Sequence, residues 1–459
     1  MISEPREKAM NYADRLENVA VLGAAGKMGS GIVLLTAIEM ADLGLDAGTR
    51  SRSFALHAVD ISEKALSGLM TYLRDQVRRA AEKKAVWLRT IYADRADLVE
   101  NEEIIGQYIE DVLAVVRPTT RVEAAYGAGV VFEAINENLD LKVKLLRQIR
   151  SQHAGDPWFL TNTSSIPIRE LDEKSSLGGR IIGFHFYNPP AVQKLVELIR
   201  ADSTLPELAD FAAQYAKKLR KTVVPSRDVA GFIGNGHFIR DGLFAVSEVE
   251  RLAGEFGFAD SVYMVNKVSQ DFLIRPIGIF QLIDYVGLDV CRSILRVMNE
   301  RLAGGHLQSP LIDRLVEMGI RGGQFADGSQ KDGILRYEKG RPAGVFDPDA
   351  KAYVSFADIG PRADGRLGAL PSAAKPWKTV IQLPIRTAYL DGYFRELLAM
   401  KTLGAGLARN YGLKSKDIGL GLVRDRVAER EEDVNTVLLT GFYHAYGPIN
   451  RYFDGENRP

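Results

Sequence analysis

Residues 19–32 read Val-Ala-Val-Leu-Gly-Ala-Ala-Gly-Lys-Met-Gly-Ser-Gly-Ile, an apolar run that breaks at glycine and resumes with small residues. An unbroken apolar run of this length fits a strand buried on both faces of a parallel sheet. The residues after it predict a helix from about Gly29 to Leu43. The pattern then recurs. Ala55–Val59 is a second strand ending at Asp60, and residues 62–85 carry apolar side chains at helical spacing among many charges. Further apolar runs stand at 130–134, 159–162 and 180–185, with a helical stretch at 139–150. Strand alternating with helix predicts an α/β fold, a doubly wound parallel sheet covered on both faces.

Gly23, Gly26 and Gly29 form G-x-x-G-x-x-G, with Gly31 just beyond. Glycine serves where the chain turns tightly and where backbone approaches a pyrophosphate without a Cβ between them. The helix that starts there aims its N–H groups at the phosphates. Gly23, Gly26, Lys27, Met28 and Gly29 are therefore candidate cofactor residues. Asp60, at the end of the second strand, suits the adenine ribose hydroxyls. It stands farther on than the usual ~20 residues, because a polar loop at 46–53 intervenes. Ile61 and Ser62 follow it, with no arginine to receive a 2′-phosphate, so NAD is expected rather than NADP. As a structural alternative, Asp60 or Ser62 caps the next helix. Glu133 and Asn162, at later strand ends, are expected to face the same crevice.

The chemistry-bearing residues follow in order. Asn162-Thr-Ser-Ser precedes His185-Phe-Tyr-Asn-Pro; Glu197 lies twelve positions after the histidine, and Gly231-Phe-Ile-Gly-Asn235 comes next. A histidine base, a carboxylate, a serine and an asparagine behind a nucleotide fold read as an alcohol-dehydrogenation site. His57, His153, His237, His306 and His444 show no ligand spacing, and no metal is expected. Cys291, the single cysteine, excludes an internal disulfide and a cysteine metal cluster; in its apolar segment it fills core. With 59 basic and 59 acidic side chains the formal charge is zero, and nothing suggests a nucleic-acid or membrane surface. The acidic start, Met1 to Asp14, is neither a signal nor a transit peptide, and no stretch reaches the ~20 apolar residues of a membrane span. A cytoplasmic protein is expected.

Character changes near Arg227. The expected domains are a dinucleotide-binding domain at 1–226, a helical domain at 227–340, an irregular connection at 341–376 and a second helical domain at 377–459. Gly, Pro, Asp and Ser dominate 303–375, including Gly360-Pro-Arg-Ala-Asp-Gly, and predict a long irregular segment. A faint echo links Gly278-Ile-Phe-Gln-Leu-Ile-Asp with Gly447-Pro-Ile-Asn-Arg-Tyr-Phe-Asp.

Together these runs resemble the L-3-hydroxyacyl-CoA dehydrogenase family over about residues 17–340. The carriers are 21–32, Val131-Phe-Glu-Ala-Ile, Asn162-Thr-Ser-Ser, the 185–197 run, Gly231-Phe-Ile-Gly-Asn and Asp284-Tyr-Val-Gly-Leu-Asp. The chain departs from the family pattern in three places. One extra residue stands between the first two glycines, the 46–53 loop is longer, and Ile follows Gly278. The resemblance implies NAD-dependent oxidation of the 3-hydroxyl of an acyl-CoA, a step of fatty-acid β-oxidation. His185 would be the general base and Glu197 its orienting carboxylate. Ser164 and Asn235 would bond the substrate oxygen, with Asn188 in support. The 447–454 echo resembles the second helical domain of fused members, without their hydratase region. Such a domain could cover the first within one chain and give a monomer, an internal pseudo-dimer; otherwise the usual homodimer holds. Alternatives are a noncatalytic dinucleotide-binding protein and a dehydrogenase of a non-CoA hydroxy acid, including one using a lysine base, for which Lys194 is the nearest lysine.

Overall fold

The computed structural model describes residues 12–302, 307–325 and 328–454; residues 1–11 of the acidic start, and His306, lie outside these. The chain divides into two compact units, 1–228 and 229–459.

The first unit is built on eight strands: β1 Asn18–Leu22, β2 Ala55–Val59, β3 Val116–Thr119, β4 Val130–Glu133, β5 Trp158–Thr161, β6 Ile181–Phe186, β7 Leu195–Arg200 and β8 Thr222–Arg227. Their order is β3-β2-β1-β4-β5-β6-β7-β8. All neighbouring pairs run parallel except β6 with β7. β4, β5 and β6 are buried along their whole length, as strands covered on both faces must be. The apolar core gathers Ile32, Val33 and Ala37 of the helix Gly29–Leu45 with Leu66, Leu69 and Leu73 of the helix Glu63–Lys83. Strand order turns outward on either side of β1 and β4. That switch point is where open α/β sheets bind ligands, beyond the carboxyl ends of their strands.

The second unit is helical. Gly234–Phe256, Phe258–Lys267, Ile279–Val286 and Leu288–Arg301 fall in the stretch expected to be helical, and so do Arg386–Ala399, Leu403–Arg424 and Glu431–Gly441. Residues 303–375 differ from expectation. They hold the helix Pro310–Glu317, an antiparallel sheet of β9 Leu335–Glu338, β10 Arg341–Asp347 and β11 Ala352–Ser355, and the helix Phe356–Leu367. Composition misled here for a physical reason. Pro361 lies inside the last helix, yet Ile359, Ala363 and Leu367 bury at helical spacing, and Arg362 forks onto buried Asp260 at 2.6 and 2.7 Å. Tertiary contacts outweigh a weak local preference. Asp284 anchors the same segment: its carboxylate accepts from Ile334 N, Leu335 N and the Tyr337 hydroxyl.

The faint echo has a structural counterpart. Asn266 Oδ1 accepts from Phe280 N, and Asn435 Oδ1 from Ile449 N, both at 3.0 Å. Each asparagine precedes its glycine, Gly278 or Gly447, by twelve residues. A Cβ at either glycine would fall 2.2 Å from the asparagine Oδ1, so both positions demand glycine. Helices from the two segments share one core. Tyr411 donates to Asp241 Oδ2 at 3.1 Å, and Arg275 reaches Asp241 at 2.6 Å and Ser415 Oγ at 3.3 Å. Residue 237 faces 415 and residue 241 faces 411, so Gly234–Phe256 and Leu403–Arg424 cross antiparallel.

Candidate active site

At the glycine turn, Gly23 has φ +74°, and a Cβ on it would meet Ala134 O at 2.6 Å. A Cβ on Gly29 would fall 1.9 Å from Gly23 O, so the turn closes only with hydrogen there. The extra residue is taken up in the turn itself, where Gly26 N donates to Gly23 O at 3.1 Å and Ala25 N to Asp60 Oδ2 at 2.9 Å. Asp60 therefore ties the end of β2 to the glycine loop. It does not cap the next helix; Ser62 does, accepting from Ala65 N at 3.2 Å. Gly26 and Lys27 are exposed, and Met28 begins the helix without a side-chain cap. An exposed, uncapped helix start beside a carboxylate fits the pyrophosphate and ribose of a dinucleotide.

Glu133 is fully buried rather than open to the crevice. Its carboxylate accepts from Lys142 Nζ at 2.7 Å, Thr161 Oγ1 at 2.6 Å and Ile135 N at 2.8 Å. Lys142, equally buried, also pairs with Glu137 at 3.2 Å. Glu137 Oε1 in turn accepts from Thr163 Oγ1, Ser164 N, Ser165 N and Ser165 Oγ at 2.5–3.2 Å. Burial opposes the ionised form of Glu137, but Lys142 and these hydroxyls hold its carboxyl below the ordinary range. Burial likewise opposes the Lys142 ammonium, and the two glutamates hold it charged. The result is an ion triad, buried at Glu133 and Lys142 and half-buried at Glu137, that fixes the backbone of the Thr-Ser-Ser turn. Thr163 Oγ1 caps the turn as well, accepting from Ile166 N. Sequence inspection missed Glu137, Lys142 and Thr163; the one available signal was a lysine nine residues past an acidic strand end, on the helix Leu139–Gln152.

The antiparallel register of β6 and β7 sets Phe186 opposite Val196 and His185 opposite Glu197. Residues directly opposite across such a pair project to the same face, which is what a spacing of twelve means here. His185 Nδ1 lies 3.3 Å from Glu197 Oε1. Glu197 is fully buried and His185 is 8% exposed. Tyr187 donates its hydroxyl to the same Glu197 oxygen at 2.6 Å. Asn162 Oδ1 accepts from Phe186 N at 2.9 Å, joining the end of β5 to the histidine strand. Asn188 follows directly and precedes Pro189 across a cis peptide. Lys194, the alternative base, is exposed. A Cβ on Gly31 would press on the Pro190 ring at 2.9 Å, so the cofactor helix lies against the loop after the histidine. Asn235 belongs to the second unit, as the second residue of Gly234–Phe256, after Gly231 and Phe232 with φ of +87° and +48°.

Residues 18–229 match the NAD-binding domain of 3-hydroxyacyl-CoA dehydrogenase, and 241–331 match its C-terminal domain. A probable 3-hydroxybutyryl-CoA dehydrogenase of Deinococcus radiodurans is 31% identical over 48% of this chain and 78% of its own length. The chain belongs to the 3-hydroxyacyl-CoA dehydrogenase family. Two solved structures bracket its size. (S)-3-hydroxybutyryl-CoA dehydrogenase PaaH1 of Ralstonia eutropha, 26% identical, is covered completely by 71% of this chain, with a TM-score of 0.54. The 3-hydroxybutyryl-CoA dehydrogenase of Escherichia coli is 21% identical, with a TM-score of 0.62 over 95% of this chain and 90% of that one. The longer match extends the shared fold through the last helices. The match to the family's NAD-binding domain spans the glycine turn and Asp60.

Asp60→Ala removes the acceptor for Ala25 N and the charge expected to repel a 2′-phosphate. NAD(H) is expected to bind more weakly, and the ratio of kcat/KM with NAD(H) to that with NADP(H) is expected to fall. An unchanged ratio in a steady-state comparison of the two cofactors would place the ribose contact elsewhere.

Proposed function

We propose that this chain oxidises the 3-hydroxyl of an L-3-hydroxyacyl-CoA to the 3-keto thioester, reversibly and with NAD, using His185 as the general base. The observation that carries the assignment is the direct cross-strand opposition of His185 and buried Glu197. NAD, when bound, supplies the hydride acceptor. His185 Nε2 takes the 3-hydroxyl proton as hydride leaves C3. Nδ1 faces Glu197, so the carboxylate fixes the tautomer in which Nε2 is unprotonated, and it stabilises the imidazolium that forms. Ser164, on the turn fixed by Glu137, hydrogen-bonds the substrate oxygen as it becomes a carbonyl. Asn188 supports the loop after the base. Gly23, Gly26, Lys27, Met28, Gly29, Asp60 and Asn162 line the cofactor end, and Glu133 braces it from the ion triad. The activity places the protein in acyl-CoA β-oxidation.

His185→Gln is expected to lower kcat by about 10²–10⁴-fold, the usual worth of a positioned acid or base, with NADH affinity near wild type. Acetoacetyl-CoA reduction, followed by NADH oxidation and paired with a fluorescence titration of NADH, makes the measurement. Turnover near wild type would remove His185 from the role of base.

We also propose an assembly, supported by the packing within the second unit. Helices of its two segments share one core and carry the same Asn–Gly pairing, so the later segment covers an apolar face that a single-domain relative must cover otherwise. The protein is then a monomer with an internal pseudo-dimer. Light scattering should give a mass near 50.7 kDa. A stable dimer through 227–340 would contradict this arrangement.

A further inference from the structure

We propose that Tyr187 is a positioning residue for the oxidation: its hydroxyl shares Glu197 Oε1 with His185 and so sets how firmly the histidine retains the proton it abstracts. This rests on His185 being the base.

The geometry is specific. One carboxylate oxygen receives both groups, the phenol at 2.6 Å and the imidazole Nδ1 at 3.3 Å. The phenol distance lies in the range of strong charge-assisted bonds, while the imidazole distance lies at the long edge of an ordinary one. The rings sit 5.0 Å apart at 44°. A second donor on the same oxygen draws off part of its charge, so the imidazolium on the other side is stabilised less. Burial and the adjacent Glu197 charge push the Tyr187 phenol far above its usual range, so it remains a neutral donor at every working pH.

The polar groups on the neighbouring elements of the first unit have partners of their own. On the same face, Thr161 opposes Gly183 and gives its hydroxyl to Glu133, within the triad that Lys142 and Glu137 complete. Gly183 packs against Ile168 and Ile199, and buried Asp172 of the helix Ile168–Ser175 is held by Gly179 N and Ser203 Oγ. β8 opposes Glu197 with Val224. Lys194 and Arg200, on either side of Glu197 in sequence, are exposed.

The consequence is directional. In oxidation the base must be unprotonated to start, and must release its proton before the next turnover. With the Tyr187 hydroxyl gone, Glu197 Oε1 keeps more of its charge for the imidazole and favours the protonated form. Oxidation then fails at a higher pH than in the parent enzyme.

The test is Tyr187→Phe, which deletes one oxygen, in the full-length protein. kcat/KM for oxidation of L-3-hydroxybutyryl-CoA is measured with NAD from pH 5.5 to 9, and NADH affinity is titrated alongside. The expected result is an acid limb displaced upward by about one pH unit, the order of one hydrogen bond to a charged group. The ratio of variant to parent kcat/KM should therefore climb with pH, from about a tenth at the acid end. In 15N-histidine-labelled protein, the His185 Nδ1–H resonance should move downfield as its bond to Glu197 tightens. A merely structural Tyr187 would give a ratio that does not vary with pH and an unmoved resonance, and either result overturns the proposal. His185→Gln, run in parallel, separates the two claims. If it is inactive while Tyr187→Phe shows no pH effect, only the tyrosine role falls; if it is active, the base assignment falls with it.

Discussion

The reversal of one strand organises the proposed active site. In a wholly parallel sheet, residues 185 and 197 would lie on separate strands joined by a crossover, which takes a dozen or more residues by itself. Because β7 returns antiparallel to β6 through residues 187–194, histidine and glutamate meet as a direct cross-strand pair. The short return also places Tyr187 beside the same carboxylate. Its tip is secured from outside the hairpin: Lys221 donates to Pro190 O at 2.5 Å and Gln193 O at 2.6 Å. Burial lowers that ammonium to about 8, a cost set against two carbonyl bonds that hold the loop.

Buried charge is the second device, and it is used in both units. Lys142 with Glu133, and Arg275 on Asp241, are ion groups removed from water, and half-buried Glu137 completes the first set. Such groups contribute little net stability, because desolvation offsets their attraction, but losing one partner strands the other at a cost of about 3–5 kcal/mol. Their use is to fix geometry. The first set holds the Thr-Ser-Ser turn through Glu137. The second joins helices drawn from two distant stretches of chain, with Tyr411 and Ser415 as further partners. A uniformly apolar contact would tolerate sliding between those helices; the ion pair admits one register.

Much of the first unit was legible. Strands β1, β2, β4, β5 and β6 are apolar runs bounded by glycine or acid, so period and punctuation were enough to find them. The glycine turn was legible because sterics force glycine at 23 and 29. The direction of β7 was not legible, since Leu-Val-Glu-Leu-Ile-Arg has the same pattern whichever way it pairs. β9 to β11 were hidden in a glycine- and proline-rich stretch whose order comes from Asp284 and Asp260, both acting from far away in sequence. Glu137 and Lys142 read as ordinary helix-start charges, because burial of a charge leaves no mark on local composition. The Asn266 and Asn435 pairings explain why the sequence echo was faint: the repeat is fixed by one asparagine and one glycine, and the side chains around them are free to differ.

The central claim is that His185 and Glu197 act as one unit across the β6–β7 pair. The most direct measurement is a double-mutant cycle on kcat with His185→Gln, Glu197→Gln and the two combined. Residues that act through one another give strongly non-additive losses. The double variant should therefore be no slower than His185→Gln alone, within about threefold. Losses that multiply, with the double variant slower by the product of the two single effects, would contradict the account.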